Sequence, residues 1–154
     1  MELSERFLAD PAATEALAAR LAASQPGRAV VYLAGDLGAG KSSLARAWLR
    51  ELGVRGAIKS PTYTLVERYP LPGGGEAVHL DLYRLSAAGE LDFLGLDELA
   101  DQARLWLVEW PDRGAGALPA PDLRVGLAVQ GAGRLARLQA ASPSGAAWLE
   151  RLAK

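Results

Sequence analysis

The sequence predicts an α/β fold whose sheet mixes parallel and antiparallel strands. Three observations carry that expectation. Ala29-Val30-Val31-Tyr32-Leu33-Ala34 is a short apolar run, the pattern of a strand buried on both faces. A glycine-rich segment and a stretch of helical periodicity follow it directly. Two later segment pairs, 62–69 with 78–83 and 123–129 with 134–140, each flank a glycine-rich turn and read as hairpins. Hairpins pair antiparallel, whereas a strand followed by a helix supplies a parallel neighbour.

Residues 3–8 read as a first short strand. Asp10 suits an N-cap, and Pro11 suits the first helical position, where its missing N–H leaves nothing unpaired. Ala13, Leu17 and Leu21 share one face of a helix running to about Ser24, and Gln25-Pro26-Gly27 breaks it. Beyond the glycine-rich segment, Leu44, Trp48, Leu49 and Leu52 recur at helical spacing, and Gly53 supplies the stop. Residues 54–61 read as loop. Thr62 to Tyr69 is rich in β-formers, and 70–75 is a turn. Val78, Leu80 and Leu82 alternate with His79, Asp81 and Tyr83, the period of a half-buried strand. Ser86 to Leu91 is a candidate short helix, and 94–99 fits no single pattern. Leu105-Trp106-Leu107-Val108 marks a strand from Arg104 to Trp110, and 111–121, rich in Pro, Gly and Ala, reads as a connecting loop. The second hairpin turns at Gly131-Ala132-Gly133. Ser142 and Pro143 open a last helix through Trp148, Leu149 and Leu152. No repeat or second domain emerges, so residues 1–154 are expected to form one domain.

The glycine-rich segment gives the chain its chemistry. Residues 35–42, Gly-Asp-Leu-Gly-Ala-Gly-Lys-Ser, are a complete G-x-x-x-x-G-K-[ST] phosphate loop. Its glycines let the backbone curl, and the curl turns successive N–H groups toward an anion. Asp36, Leu37, Gly38, Ala39, Gly40, Lys41, Ser42 and Ser43 are the expected nucleotide-binding segment. Lys41, expected on an exposed loop, can reach the β- and γ-phosphates, and Ser42 can offer its hydroxyl to Mg²⁺. With strand, loop and helix in this order, the fold class sharpens to a P-loop NTPase-like three-layer arrangement with a mixed sheet.

Hydrolysis needs more than phosphate binding: a carboxylate for the metal shell and a group to place water. Glu109 ends the apolar strand 105–108, the Walker-B arrangement in which a buried strand delivers an acid beside the phosphate loop. Asp81 lies on the strand face opposite the aliphatic residues. The alternatives are a surface glutamate and a solvated aspartate. Thr62 is open between a β-forming residue and a hydroxyl for magnesium or the γ-phosphate. Trp110 is open between nucleotide contact and packing. His79, the only histidine, reads as a strand residue rather than a catalytic base.

Composition bounds the rest. With 17 basic and 18 acidic residues and no long basic run, extensive nucleic-acid contact by this chain alone is not expected. There is no cysteine, which excludes disulfides, thiolate nucleophiles and zinc–thiolate sites. No apolar run approaches the length of a membrane span, and the N-terminus lacks the basic and apolar parts of a secretory signal. A cytoplasmic protein without membrane contact is expected.

These blocks together resemble the TsaE (formerly YjeE) family, the bacterial ATPases of tRNA threonylcarbamoyladenosine biosynthesis. The resemblance rests on residues 35–43, on Ser60-Pro61-Thr62-Tyr63-Thr64-Leu65-Val66, on His79-Leu80-Asp81-Leu82-Tyr83-Arg84-Leu85 and on Leu107-Val108-Glu109-Trp110-Pro111, in the family's order across about residues 29–113. The family usually has threonine where this chain has Ser42, an equivalent hydroxyl. Residues 94–99 match loosely, and the C-terminal third matches in general character. The resemblance implies a Mg²⁺-dependent ATPase with Lys41 on the phosphates, Ser42 and Glu109 at magnesium, and Thr62 in a switch-like loop. It further implies Asp81 in a catalytic or magnesium-organising role and Trp110 at the nucleotide site. The implied partners are the threonylcarbamoyl transferase and its inactive paralogue, with tRNA met mainly through that complex. Rival readings are weaker. A GTPase would need an Asn/Thr-Lys-x-Asp segment, which this chain lacks, and a switch-II Asp-x-x-Gly, where Asp81-Leu82-Tyr83-Arg84 has no glycine. A small-molecule kinase, the stronger rival, would need an acceptor pocket and lid arginines; Arg113 and Arg124 flank the Pro/Gly-rich stretch, but no lid arginines cluster.

Overall fold

A computed structural model describes residues 3–86 and 95–154. Its strands are β1 (Leu3–Leu8), β2 (Ala29–Ala34), β3 (Val66–Pro70), β4 (Glu76–Asp81), β5 (Ala103–Glu109), β6 (Leu123–Gln130) and β7 (Gly133–Ala140). Its helices are α1 (Pro11–Ser24), α2 (Lys41–Glu51), α3 (Leu96–Gln102) and α4 (Pro143–Ala153). All the strands join one sheet in the order β1-β7-β6-β2-β5-β4-β3. The four central strands β6, β2, β5 and β4 run parallel, and β7, β1 and β3 add antiparallel pairings at the edges. The expected mixed sheet is thus present, with a P-loop NTPase-like α/β architecture.

Local chemistry sets most boundaries. The Asp10 carboxylate accepts from the Ala13 N–H at 2.9 Å, capping α1 with Pro11 at its first position. Ser142 caps α4 in the same way, accepting from the Gly145 N–H at 3.0 Å. Gly53, at φ +97°, follows the C-cap of α2 and donates to the Arg50 carbonyl.

The two sheet faces are covered unequally. Helices α1, α2 and α4 bury Leu17, Leu21, Leu44, Trp48, Leu49, Trp148 and Leu152 against Val31, Leu33, Leu105, Leu107, Val125 and Leu138. Trp48 and Trp148 meet edge-to-face at 5.8 Å, and the Trp48 indole N–H donates to the Gln25 side chain at 2.8 Å. On the opposite face α3 covers the β5–β4 half, where Leu99 packs with Val78, Leu80, Trp106 and Val108.

Several sequence expectations are corrected. Thr62–Thr64 form a turn rather than strand, because the Leu65 N–H bonds the Pro61 carbonyl at 2.8 Å and Leu65 takes φ +69°; β3 begins only at Val66. Strand β4 is buried on both faces, not half-buried, because it lies inside the sheet between β5 and β3. The unresolved pattern at 94–99 opens α3, with Gly95 as its N-cap. Residues 111–121 begin with a 3-10 turn, Pro111–Gly114. The candidate helix from Ser86 to Leu91 falls, beyond Ser86, outside the described residues.

Trp48→Ala should remove a fully buried indole and lower the unfolding free energy by about 3–5 kcal/mol. A urea titration followed by far-UV circular dichroism checks it; a midpoint close to wild type would mean the packing of Trp48 against Trp148 carries little of the stability.

Candidate functional site

Register builds the site. In β2 and β5, Leu33 pairs with Glu109; in β5 and β4, Glu109 pairs with Asp81. The carboxyl ends of three parallel strands therefore lie in one row, and the phosphate loop leaves β2 just beyond it. Alternation places Leu33, Glu109 and Asp81 on the face that carries α2.

The loop itself is held by its glycines. Gly35 has φ +142°, and a Cβ there would lie 2.3 Å from the Leu127 carbonyl oxygen. Gly40, at φ +108°, is the N-cap of α2, so the loop ends on a helix N-terminus. From β7, Arg134 donates to the Ala39 carbonyl at 3.1 Å and to the Gly38 carbonyl at 3.3 Å, bracing the loop from behind.

A cavity of about 250 Å³ opens in front of the loop, lined by Leu37, Gly38, Gly40, Lys41, Ser42, Ser43, Thr62, Asp81, Tyr83, Glu109 and Trp110. Lys41, expected to be exposed, is only 5% exposed. It donates to the Gly35 carbonyl and sits 3.9 Å from the centroid of the Trp110 ring. Burial pushes its ammonium below the ordinary lysine value, while the carboxylates of Glu109, Asp81 and Asp36 pull it back up. Trp110 reaches this position because it leaves β5 at φ +56°. It packs on Tyr83 at 5.0 Å, at the loop end of the cavity.

Glu109 and Asp81, for which a surface position was the alternative, are 2% and 6% exposed. The Ser42 hydroxyl lies 3.4 Å from each oxygen of the Glu109 carboxylate. That is long for an O–H···O bond and wider than the spacing of adjacent Mg²⁺ ligand oxygens, about 2.9 Å, so the two groups would have to close on an ion to share it. Among the described residues no group of three acids or histidines could hold a metal alone. A hydroxyl and one carboxylate completed by phosphate oxygens is the donor set that suits Mg²⁺. Asp81 accepts from the Tyr83 N–H at 3.0 Å, and its other oxygen lies 3.4 Å from the Thr62 hydroxyl. Thr62 in turn meets Ser60 Oγ at 2.7 Å.

Two features went unread in the sequence. His79 Nε2 lies 2.6 Å from Glu109 Oε2, with both side chains buried. The signal was present: His79 and Asp81 are two residues apart, hence on one strand face. A second cavity, of about 570 Å³, opens on the loop's other side between Asp10, Thr14, Ser43, Arg46, Ala47 and Arg134 and shares Gly40 and Ser43 with the first. No local signal announces it, because the elements that form it are far apart in sequence. Neither arginine considered for a lid lines the cavity, although Arg113 lies against Tyr83 of its wall. Arg124 stacks over Tyr32.

Comparison with known proteins identifies the family and the fold. The family model described as threonylcarbamoyl adenosine biosynthesis protein TsaE matches residues 8–137. A Haemophilus influenzae protein named tRNA threonylcarbamoyladenosine biosynthesis protein TsaE is 46% identical over 98 residues, 64% of this chain and 61% of that protein. The match therefore spans about three fifths of that relative's length. A Bacillus subtilis protein of the same name is 36% identical over 117 residues, 75% of this chain and 72% of its own. The crystal structure of Bacillus subtilis YdiB superposes with a TM-score of 0.82 at 26% identity, covering 99% of this chain and 95% of that one.

The folded chain holds a proton on Lys41 more weakly than the unfolded chain does. Its contribution to stability therefore rises as pH climbs from the lowered folded value toward the ordinary 10.5. Lys41→Met, which keeps the stem and removes the charge, should melt at or above wild type at neutral pH, with the gap closing at alkaline pH. Thermal melts across that range check it; a variant far less stable at neutral pH would show that the Gly35 and Trp110 contacts outweigh desolvation.

Proposed function

Because the chain belongs to the TsaE family, we propose that it is the ATP-binding and ATP-hydrolysing subunit of tRNA threonylcarbamoyladenosine biosynthesis. Its hydrolysis supports turnover of the threonylcarbamoyl transferase complex, which modifies the adenosine beside the anticodon. The observation that carries this reading is the meeting of Lys41, Ser42, Asp81 and Glu109 around one cavity at the mouth of the phosphate loop.

In this reading the loop N–H groups and the N-terminus of α2 take the β-phosphate. Lys41 leaves the Gly35 carbonyl and the Trp110 face to bridge the β- and γ-phosphates. Ser42 and Glu109 hold Mg²⁺, which when bound offsets the negative charge that builds on the phosphate oxygens. Thr62 and Asp81, 3.4 Å apart, hold the attacking water, and the Asp81 carboxylate accepts its proton. The larger cavity, reaching the loop at Gly40 and Ser43, is the room we assign to adenosine.

The chain's partners in this reading are the transferase and its inactive paralogue, with tRNA met mainly through them. Near-neutral net charge fits a subunit that leaves tRNA contact to others. We place it in the cytoplasm. Among the described residues no helix is long and apolar enough to cross a membrane.

Three measurements test the reading. Lys41→Ala should fold and lose ATP turnover; undiminished turnover would remove the phosphate-loop assignment. Glu109→Ala should lose Mg²⁺-dependent hydrolysis while retaining most nucleotide affinity, compared by titration and phosphate release with and without Mg²⁺. Purified partners should raise turnover, by as much as about 10³–10⁵ if they insert an arginine at the γ-phosphate. Rapid phosphorylation of a small metabolite by the isolated chain, unchanged by partners, would instead make it a kinase.

A further inference from the structure

His79 has no part in the chemistry above, yet it makes the shortest contact between two side chains at the site, Nε2 to Glu109 Oε2 at 2.6 Å. It stands on β4 opposite Leu107, two residues before Glu109 on the neighbouring strand, and is 3% exposed. Its other ring nitrogen, Nδ1, is buried and has no hydrogen-bond partner among the described residues. A proton on Nδ1 would be a buried unpaired donor, which is costly. The proton therefore sits on Nε2 and is donated to Glu109. The two carboxylate oxygens are consequently unequal. Oε2 is committed to His79 and Oε1 is not, while the Ser42 hydroxyl lies 3.4 Å from each.

That inequality bears on which cation fits. Mg²⁺ takes single carboxylate oxygens in a tight octahedron, whereas Ca²⁺ is larger and readily takes both oxygens of one carboxylate. We propose that His79 is a positioning residue that holds Glu109 as a one-oxygen ligand and so biases the site toward Mg²⁺ over Ca²⁺. The inference rests on the proposed function, in which Glu109 and Ser42 hold the metal of a bound nucleotide.

The test is calorimetric titration of Mg²⁺ or Ca²⁺ into the ADP-bound chain, with no turnover involved. His79→Leu removes the donor at similar volume. His79→Gln places an amide N–H near the Nε2 position, and His79→Asn is too short to reach Glu109. Wild type should prefer Mg²⁺. In His79→Leu and His79→Asn, Mg²⁺ affinity should fall about 10–100-fold, the usual effect of losing a group that orients a metal ligand. Ca²⁺ affinity should fall far less, so the preference collapses, and His79→Gln should restore most of it. If His79→Leu does not fold, the contrast between Asn and Gln reads the same effect. Equal losses for both cations, an unchanged preference, or a Gln variant no better than Asn would each overturn the role of His79. A wild-type chain that binds nucleotide but no metal would instead overturn the metal assignment of Ser42 and Glu109, a separate and recognisable failure.

Discussion

The parallel pairing of β2, β5 and β4 is the constraint on which the site depends. A register shift of one residue would turn Glu109 or Asp81 to the opposite face. That register is fixed by burial: Leu105 and Leu107 must face α2, while Trp106 and Val108 must face α3. Apolar packing along the strands thus sets where the two carboxylates emerge. It also sets where the phosphate loop begins, since Gly35 follows the last residue of β2.

The arrangement concentrates the costs of the fold in one place. Among the described residues, the buried charged and polar side chains, Lys41, His79, Asp81 and Glu109, all belong to the site or touch it. Each would be expensive alone. Together they offset one another, through the His79–Glu109 contact and through the pull of three carboxylates on Lys41. Backbone strain gathers there too. Leu65 and Trp110, the non-glycine residues with positive φ among those described, lie next to Asp81 and Lys41 respectively. One shapes the turn that carries Thr62, and the other swings an indole onto the lysine.

The far half of the molecule serves the same end indirectly. Asp122, at the start of β6, accepts from the Val30 N–H at 2.9 Å and the Ser142 hydroxyl at 2.7 Å, tying β2 to the start of α4. From β7, Arg134 grips the carbonyls of the phosphate loop. The antiparallel hairpin is therefore a brace behind the loop as well as an extension of the sheet.

Local rules were enough for much of this. The caps at Asp10 and Ser142, the stop at Gly53, the strand–loop–helix order around residues 29–52 and both hairpins follow from residue types a few positions apart, because hydrogen bonds and side-chain periodicity act over that range. The motif likewise named the loop and pointed to Glu109. Other features were decided only by the folded chain. Thr62 reads as a β-former, but the Pro61–Leu65 bond makes it part of a turn. Lys41 reads as exposed, but Trp110, 69 positions away, covers it. The choice between a solvated and a buried Asp81 turned on whether β4 lay inside the sheet. The His79–Glu109 contact and the Arg134 brace join residues 30 and 95 positions apart. Alternation puts His79 on the face of Asp81, but no local propensity names the partner in such contacts; they exist because burying the apolar faces of distant strands brings those strands side by side.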